Sequence, residues 1–224
     1  MTDRRERVLN ALVGNARRVS EENREDIITW PGIVRGKVNG KLAFLPGYVP
    51  YVGKSYFNAK VRILVYAMSQ NLSDNSRLAR RWATEWAQGD KSLVLNRQNI
   101  WYDENAPDAP RAVMGPFDKG HVPILCGLLR SLLTDNAPPS RNIYDSIAAT
   151  NLSKFSFRNG TLTCDKDDSF RKCWKWFSES EIRELVPDAI LCLGNQVYDV
   201  VKTSSLLLMI QMLLKQILQE RDHA

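Results

Sequence analysis

The segment 60–73, KVRILVYAMSQNLS, constrains this chain more than any other stretch. Residues 62–66 form a short apolar run rich in Val, Ile and Leu, the pattern of a strand buried on both faces. The run stops at Ala67-Met68, the polar cluster Ser69-Gln70-Asn71 follows, and Ser73-Asp74 supplies a helix-capping signal. In open α/β sheets, ligands bind at the carboxyl ends of strands, where loops lead into helices. Ser69, Gln70 and Asn71 therefore stand where such a fold places its chemistry. An ordinary strand-to-helix turn is the plain alternative.

The same pattern recurs twice. Residues 142–150 read as a second buried strand ending at Asn151-Leu152-Ser153-Lys154, and 189–193 as a third, followed by Gly194-Asn195. Helices are expected over 77–88, 122–133, 171–186 and 196–201. This alternation predicts an α/β chain: a three-layer α/β/α sandwich around a mainly parallel sheet of four to five strands. Ahead of it, 4–23 reads as a charged helix or helix pair with Val8, Leu9, Leu12 and Val13 as its apolar stripe, ended by Trp30-Pro31-Gly32. The expected division is an N-terminal helical segment, 1–30, and one α/β domain, 31–224. Asn39-Gly40, flanked by short apolar runs, signals a hairpin. Residues 47–53 read as a loop and 155–169 as polar and turn-rich, while 91–114 is a long irregular stretch of the kind that often carries function. Apolar positions cover most of the circumference of a helix expected at 204–219, with core packing the default. There are no internal repeats.

Composition narrows the function classes only a little. The net charge of +6 over 224 residues suits an anionic partner, although the basic residues are spread along the chain. The four cysteines, Cys126, Cys164, Cys173 and Cys192, form no CxxC pair, which argues against a zinc or iron–sulfur site and for reduced core thiols. Asp165, Asp167 and Asp168 lack the glycine and downstream glutamate of a calcium loop and read as a polar turn. No metal or cofactor is expected. The N-terminus lacks the apolar core of a secretory signal, and 204–214 is too short to span a bilayer, so a cytoplasmic chain is the expectation.

Taken together, the strand ends and the loop Gly115-Pro116-Phe117-Asp118-Lys119-Gly120 resemble the uracil-DNA glycosylase superfamily, nearest to its cluster-free bacterial and archaeal-like branches. Ala67-Met68-Ser69-Gln70-Asn71 stands where the family's first motif falls, and the Phe117 loop matches its Gly-x-Pro-Phe-x-Gly signature one residue short. Thr150-Asn151-Leu152-Ser153-Lys154 matches Thr-Asn-x-x-Lys. The helix with Cys173, Phe177, Glu181 and Leu185, then Pro187 and Leu193-Gly194, follows in the family's order. Two departures stand out. The first motif holds no carboxylate, glycine or proline, and the last His-Pro-Ser motif is not found; of the histidines, His223 lies near the end of the chain and His121 at the start of a helix, where a solvated role is the ordinary one.

The resemblance implies a DNA glycosylase, a hydrolase acting on DNA in repair or in defence against phage with modified bases. Phe117 would stack on a flipped base, and Asn151 would read its edge. Asn71, with Ser69 and Gln70 as alternatives, would position the attacking water. Met68 and Tyr51 are further base-pocket candidates, and Asp103 and Glu104 are candidates for the missing carboxylate. Lys54, Arg77, Arg81, Lys154 and Asn195 are the candidate DNA contacts, joined by Lys60 and Arg80. DNA is thus the expected partner, with no membrane and a monomeric chain; a catalytically degenerate nucleic-acid-binding module is the alternative.

Overall fold

The structure is a computed structural model that describes residues 3–33, 35–38, 41–44, 49–68, 71–72, 146–155, 157–158 and 166–202. Helix α1, Arg4–Glu22, is capped by the Asp3 carboxylate, which accepts from the Arg5 amide. Its stripe Val8, Leu9, Leu12, Val13, Ala16 and Val19 is buried, as the periodicity predicts. A short helix, α2 (Arg24–Ile27), leads to Trp30. Strands β1 (Arg35–Val38) and β2 (Lys41–Phe44) pair antiparallel with Val38 opposite Lys41, in the sense a hairpin requires.

The central sheet has the order β3-β6-β4-β8. Its strands are β3 (Tyr51–Val52), β4 (Ile63–Ala67), β6 (Ile147–Asn151) and β8 (Ala189–Cys192). A separate pair joins β5 (Asn71–Leu72) to β7 (Phe157–Arg158). The α/β class holds. The sheet is mixed, however, not mainly parallel: β4 runs parallel to β6 and β8, but β3 runs antiparallel to β6. The link 53–62 carries one 3-10 turn and is too short for the crossover helix that a parallel partner needs. The third strand also differs from expectation. Among the described strands β8 lies at the sheet edge, and it is partly exposed where full burial was expected.

Helix α3 spans Lys166–Leu185 and α4 spans Asn195–Lys202. The start of α3 lies five residues ahead of the expected one. Positions 167 and 168 thus fall in its first turn and not in a polar turn. The helix ends at Leu185 because Val186 turns left-handed (φ 47°) and Pro187 follows.

One core cluster joins Leu64, Tyr66, Ala148 and Val52 from the strands to Leu9 and Leu12 of α1, Phe170 and Trp174 of α3, and Val197 and Val201 of α4. Alternate strand residues point to opposite faces, so Ile63, Val65, Ile147 and Ala149 lie on the other face, and they too are buried. A second cluster joins Ala16 and Val19 to Trp30, Phe155, Cys173 and Phe177, with Trp30 edge-on to Phe155 at 5.5 Å. The segment 1–30 therefore contributes α1 directly to the core beneath the sheet. The expected helices at 77–88, 122–133 and 204–219 lie outside the described residues.

Candidate functional site

Register brings three of the sequence's polar strand ends to one edge of the sheet. Ala67 on β4 is the register partner of Asn151 on β6. The ladder continues past both: the Leu152 amide donates to the Ala67 carbonyl at 2.7 Å, and the Ser153 amide to the Met68 carbonyl at 2.9 Å. On the other flank of β4, the Leu193 amide donates to the Tyr66 carbonyl at 2.9 Å, which sets Gly194-Asn195 at the same carboxyl edge. Gly194 adopts φ +99°, a backbone conformation that favours glycine, and this lets the chain turn straight into α4. Beyond the sheet, Asn71 pairs with Phe157 and Leu72 with Arg158, so the two segments stay parallel. Three residues (68–70) separate the ladders on the first segment and five (152–156) on the second.

Asn151 is only 6 % exposed and Tyr51 only 3 %. Tyr51 pairs with Ala149, two residues before Asn151, so both side chains take the sheet face opposite α3. Met68 is half-buried and packs against the α3-side core cluster, not beside them, and Asn195 is exposed at the start of α4. Asn71 is placed through its backbone alone. Ser69, Gln70, Phe117, Arg77 and Arg81 lie outside the described residues, as do Arg80, Asp103, Glu104 and His121.

Two candidate DNA contacts are placed elsewhere. Lys54 is exposed, but it follows Gly53, whose amide bonds to the Ile147 carbonyl at the amino end of β6. At about 3.3 Å per residue this puts it over 10 Å along the strand from Asn151. Lys154 is not a surface cation at all. It is 1 % exposed, and its ammonium meets Glu181 Oε1 of α3 at 2.6 Å and donates to Thr150 Oγ1 at 2.5 Å. A buried ammonium needs a counter-charge, and Glu181, 3 % exposed, supplies it. The expectation that Lys154 contacts phosphate is corrected accordingly.

The second oxygen of Glu181 accepts from the Tyr66 hydroxyl at 2.6 Å, and Tyr66 is the register partner of Thr150. Tyr66, Thr150, Lys154 and Glu181 thus close a buried ring directly beneath the strand ends. Burial pulls the Lys154 ammonium below the usual lysine range, opposed by Glu181. Burial, and then the adjacent Glu181 charge, lift the Tyr66 phenol well above its ordinary value. Cys173 sits against the same turn, near Lys154 and Ser153, and burial pushes its thiol up to about 12. The roles of Tyr66 and Glu181 went unread in the sequence. The signal was present, since Glu181 lies one helical turn from both Phe177 and Leu185, a carboxylate on an apolar stripe.

Among the described residues, no cluster of His, Cys, Asp and Glu could hold a metal ion, and no described helix is long and apolar enough to cross a membrane. No protein-family model, no curated protein and no solved structure matches the chain.

Proposed function

We propose that this chain is a DNA glycosylase of the uracil-DNA glycosylase kind, built as a three-layer α/β/α sandwich. It takes a uracil-like or modified pyrimidine out of the stack and hydrolyses its N-glycosidic bond, leaving an abasic site. The observation that supports this most is the adjacency of Ala67-Met68 and Asn151 at the carboxyl edge of the sheet, where α/β folds bind ligands. In this reading Asn151 offers one acceptor and two donors to the base edge, while Phe117 stacks on its face. Met68 and Tyr51 complete the base pocket. Asn71, or Ser69 or Gln70 beside it, holds the water that attacks the sugar carbon as positive charge grows there. Arg77, Arg81 and Asn195 contact the DNA. The chain acts without a metal or cofactor, as a cytoplasmic monomer, in repair or in defence against phage with modified bases.

The test is incubation with oligonucleotides carrying uracil or modified cytosines, followed by detection of abasic sites. Product from at least one substrate supports the reading, and no product from any, modified phage DNA included, defeats it.

One observation favours a second reading. The segment 67–71 carries no carboxylate to activate water, which suits a catalytically degenerate module that only binds nucleic acid. That module would show salt-dependent DNA binding with no abasic product.

A further inference from the structure

The ring of Tyr66, Thr150, Lys154 and Glu181 lies on the α3 side of the sheet, whereas Asn151 faces the other side. All four lie on the side of the sheet away from Asn151 and Tyr51. What they share is the turn 150–154. Lys154 folds back to the Thr150 hydroxyl and is held by Glu181, which at the same time holds Tyr66 on β4. Cys173, two turns before Glu181 on α3, lies near Lys154 and Ser153. One helix therefore grips both strand ends from below, through groups that are each 3 % exposed or less. Burying a charged pair costs more desolvation than apolar side chains of the same volume would. Stability alone does not call for it; directional bonds fix a register where apolar packing tolerates slippage.

The geometry points to Lys154, Glu181 and Tyr66 as positioning residues that set the height of Asn151 against Met68, and thereby the orientation of the base edge. The inference concerns the turn itself and depends on the glycosylase reading only for its kinetic consequence.

The experiment uses the full chain with the double substitution Lys154→Met/Glu181→Leu, which replaces the pair by apolar groups of similar volume. Amide exchange at Leu152 and Ser153 is followed by NMR, beside the urea midpoint and single-turnover base release. Exchange at these two amides is expected to quicken about tenfold or more while the midpoint holds, because a local tie is lost without a global one. In an enzyme that releases base, kcat falls about tenfold with KM unchanged, as misplacement predicts. Unchanged exchange at Leu152 and Ser153 overturns the inference, as does exchange that rises throughout the molecule with a lower midpoint, or an unchanged kcat in an active enzyme. Should the double variant fail to fold, Tyr66→Phe removes only one hydroxyl. A threefold or so quickening at the same amides is then expected, and none overturns the inference. A wild-type chain that releases no base from any substrate defeats the glycosylase reading alone and leaves the exchange result standing.

Discussion

Lys154 and Glu181 meet at 2.6 Å in the interior, one at the turn after β6 and the other on α3, and each is at most 3 % exposed. A lysine that the sequence offers to solvent and DNA is instead part of the scaffold. Its partner braces the turn 150–154 from the helix side.

Breaking that pair from one side is expected to be severe. Lys154→Met leaves a buried carboxylate with only the Tyr66 hydroxyl and is expected to cost about 3–5 kcal/mol in urea unfolding. Lys154→Met/Glu181→Leu should bring the midpoint back to that of the wild type. A double variant as unstable as the single one would show that Glu181 is not the counter-charge that matters.

Val186 ends α3 in the left-handed region at φ 47° and is 38 % exposed. A β-branched residue is strained there, and glycine is not. Val186→Gly is expected to stabilise the fold by about 0.5–1 kcal/mol, the relieved strain outweighing the added freedom of the unfolded chain. Thermal unfolding checks this, and a lower midpoint contradicts it.

Burial raises the thiols of Cys173 to about 12 and of Cys192 to about 11. Little thiolate is present at neutral pH, so iodoacetamide at pH 8 should spare both in the folded chain and label both in urea. The same shift has a stability consequence. The folded chain keeps the Cys173 proton where the unfolded chain gives it up, so this contribution is complete below about pH 9 and is lost as pH climbs toward 12. Tyr66 acts in the same sense and Lys154, lowered by burial, in the opposite one. Cys173→Ala isolates the thiol's share: its urea midpoint should fall less between pH 8 and pH 10.5 than that of the wild type. Equal falls would contradict the buried thiol.

Much of the scaffold can be read from the residues alone. Val8, Leu9, Leu12 and Val13 announce α1 by their spacing, Asn39-Gly40 announces the hairpin, and Ile63 to Tyr66 the central strand, because each depends on local periodicity or turn chemistry. The strand ends at Ala67 and Asn151 were legible too, though their pairing is a long-range fact that register alone reveals. The antiparallel entry of β3 was not legible, since two residues carry no periodicity and their direction follows from the length of a link. Nor was the burial of Lys154. A lysine after a strand looks solvated until a carboxylate 27 positions later (181 − 154) is brought over it.

If Asn71 holds the attacking water, a carboxylate at that position should do so better, because it also takes the proton. Asn71→Asp is expected to raise single-turnover base release at neutral pH by about tenfold or more. A slower variant would assign the water to Ser69 or Gln70, or to another residue.

The central claim is tested most directly by comparing wild type with Asn151→Ala for abasic-site formation on oligonucleotides carrying uracil or modified cytosines. Wild type should generate abasic sites, and Asn151→Ala should do so about a hundredfold more slowly or not at all with an unchanged unfolding midpoint, since a base edge left without its hydrogen-bond partner is strongly rejected. Abasic product at equal rates from both proteins, or from neither, would contradict the account.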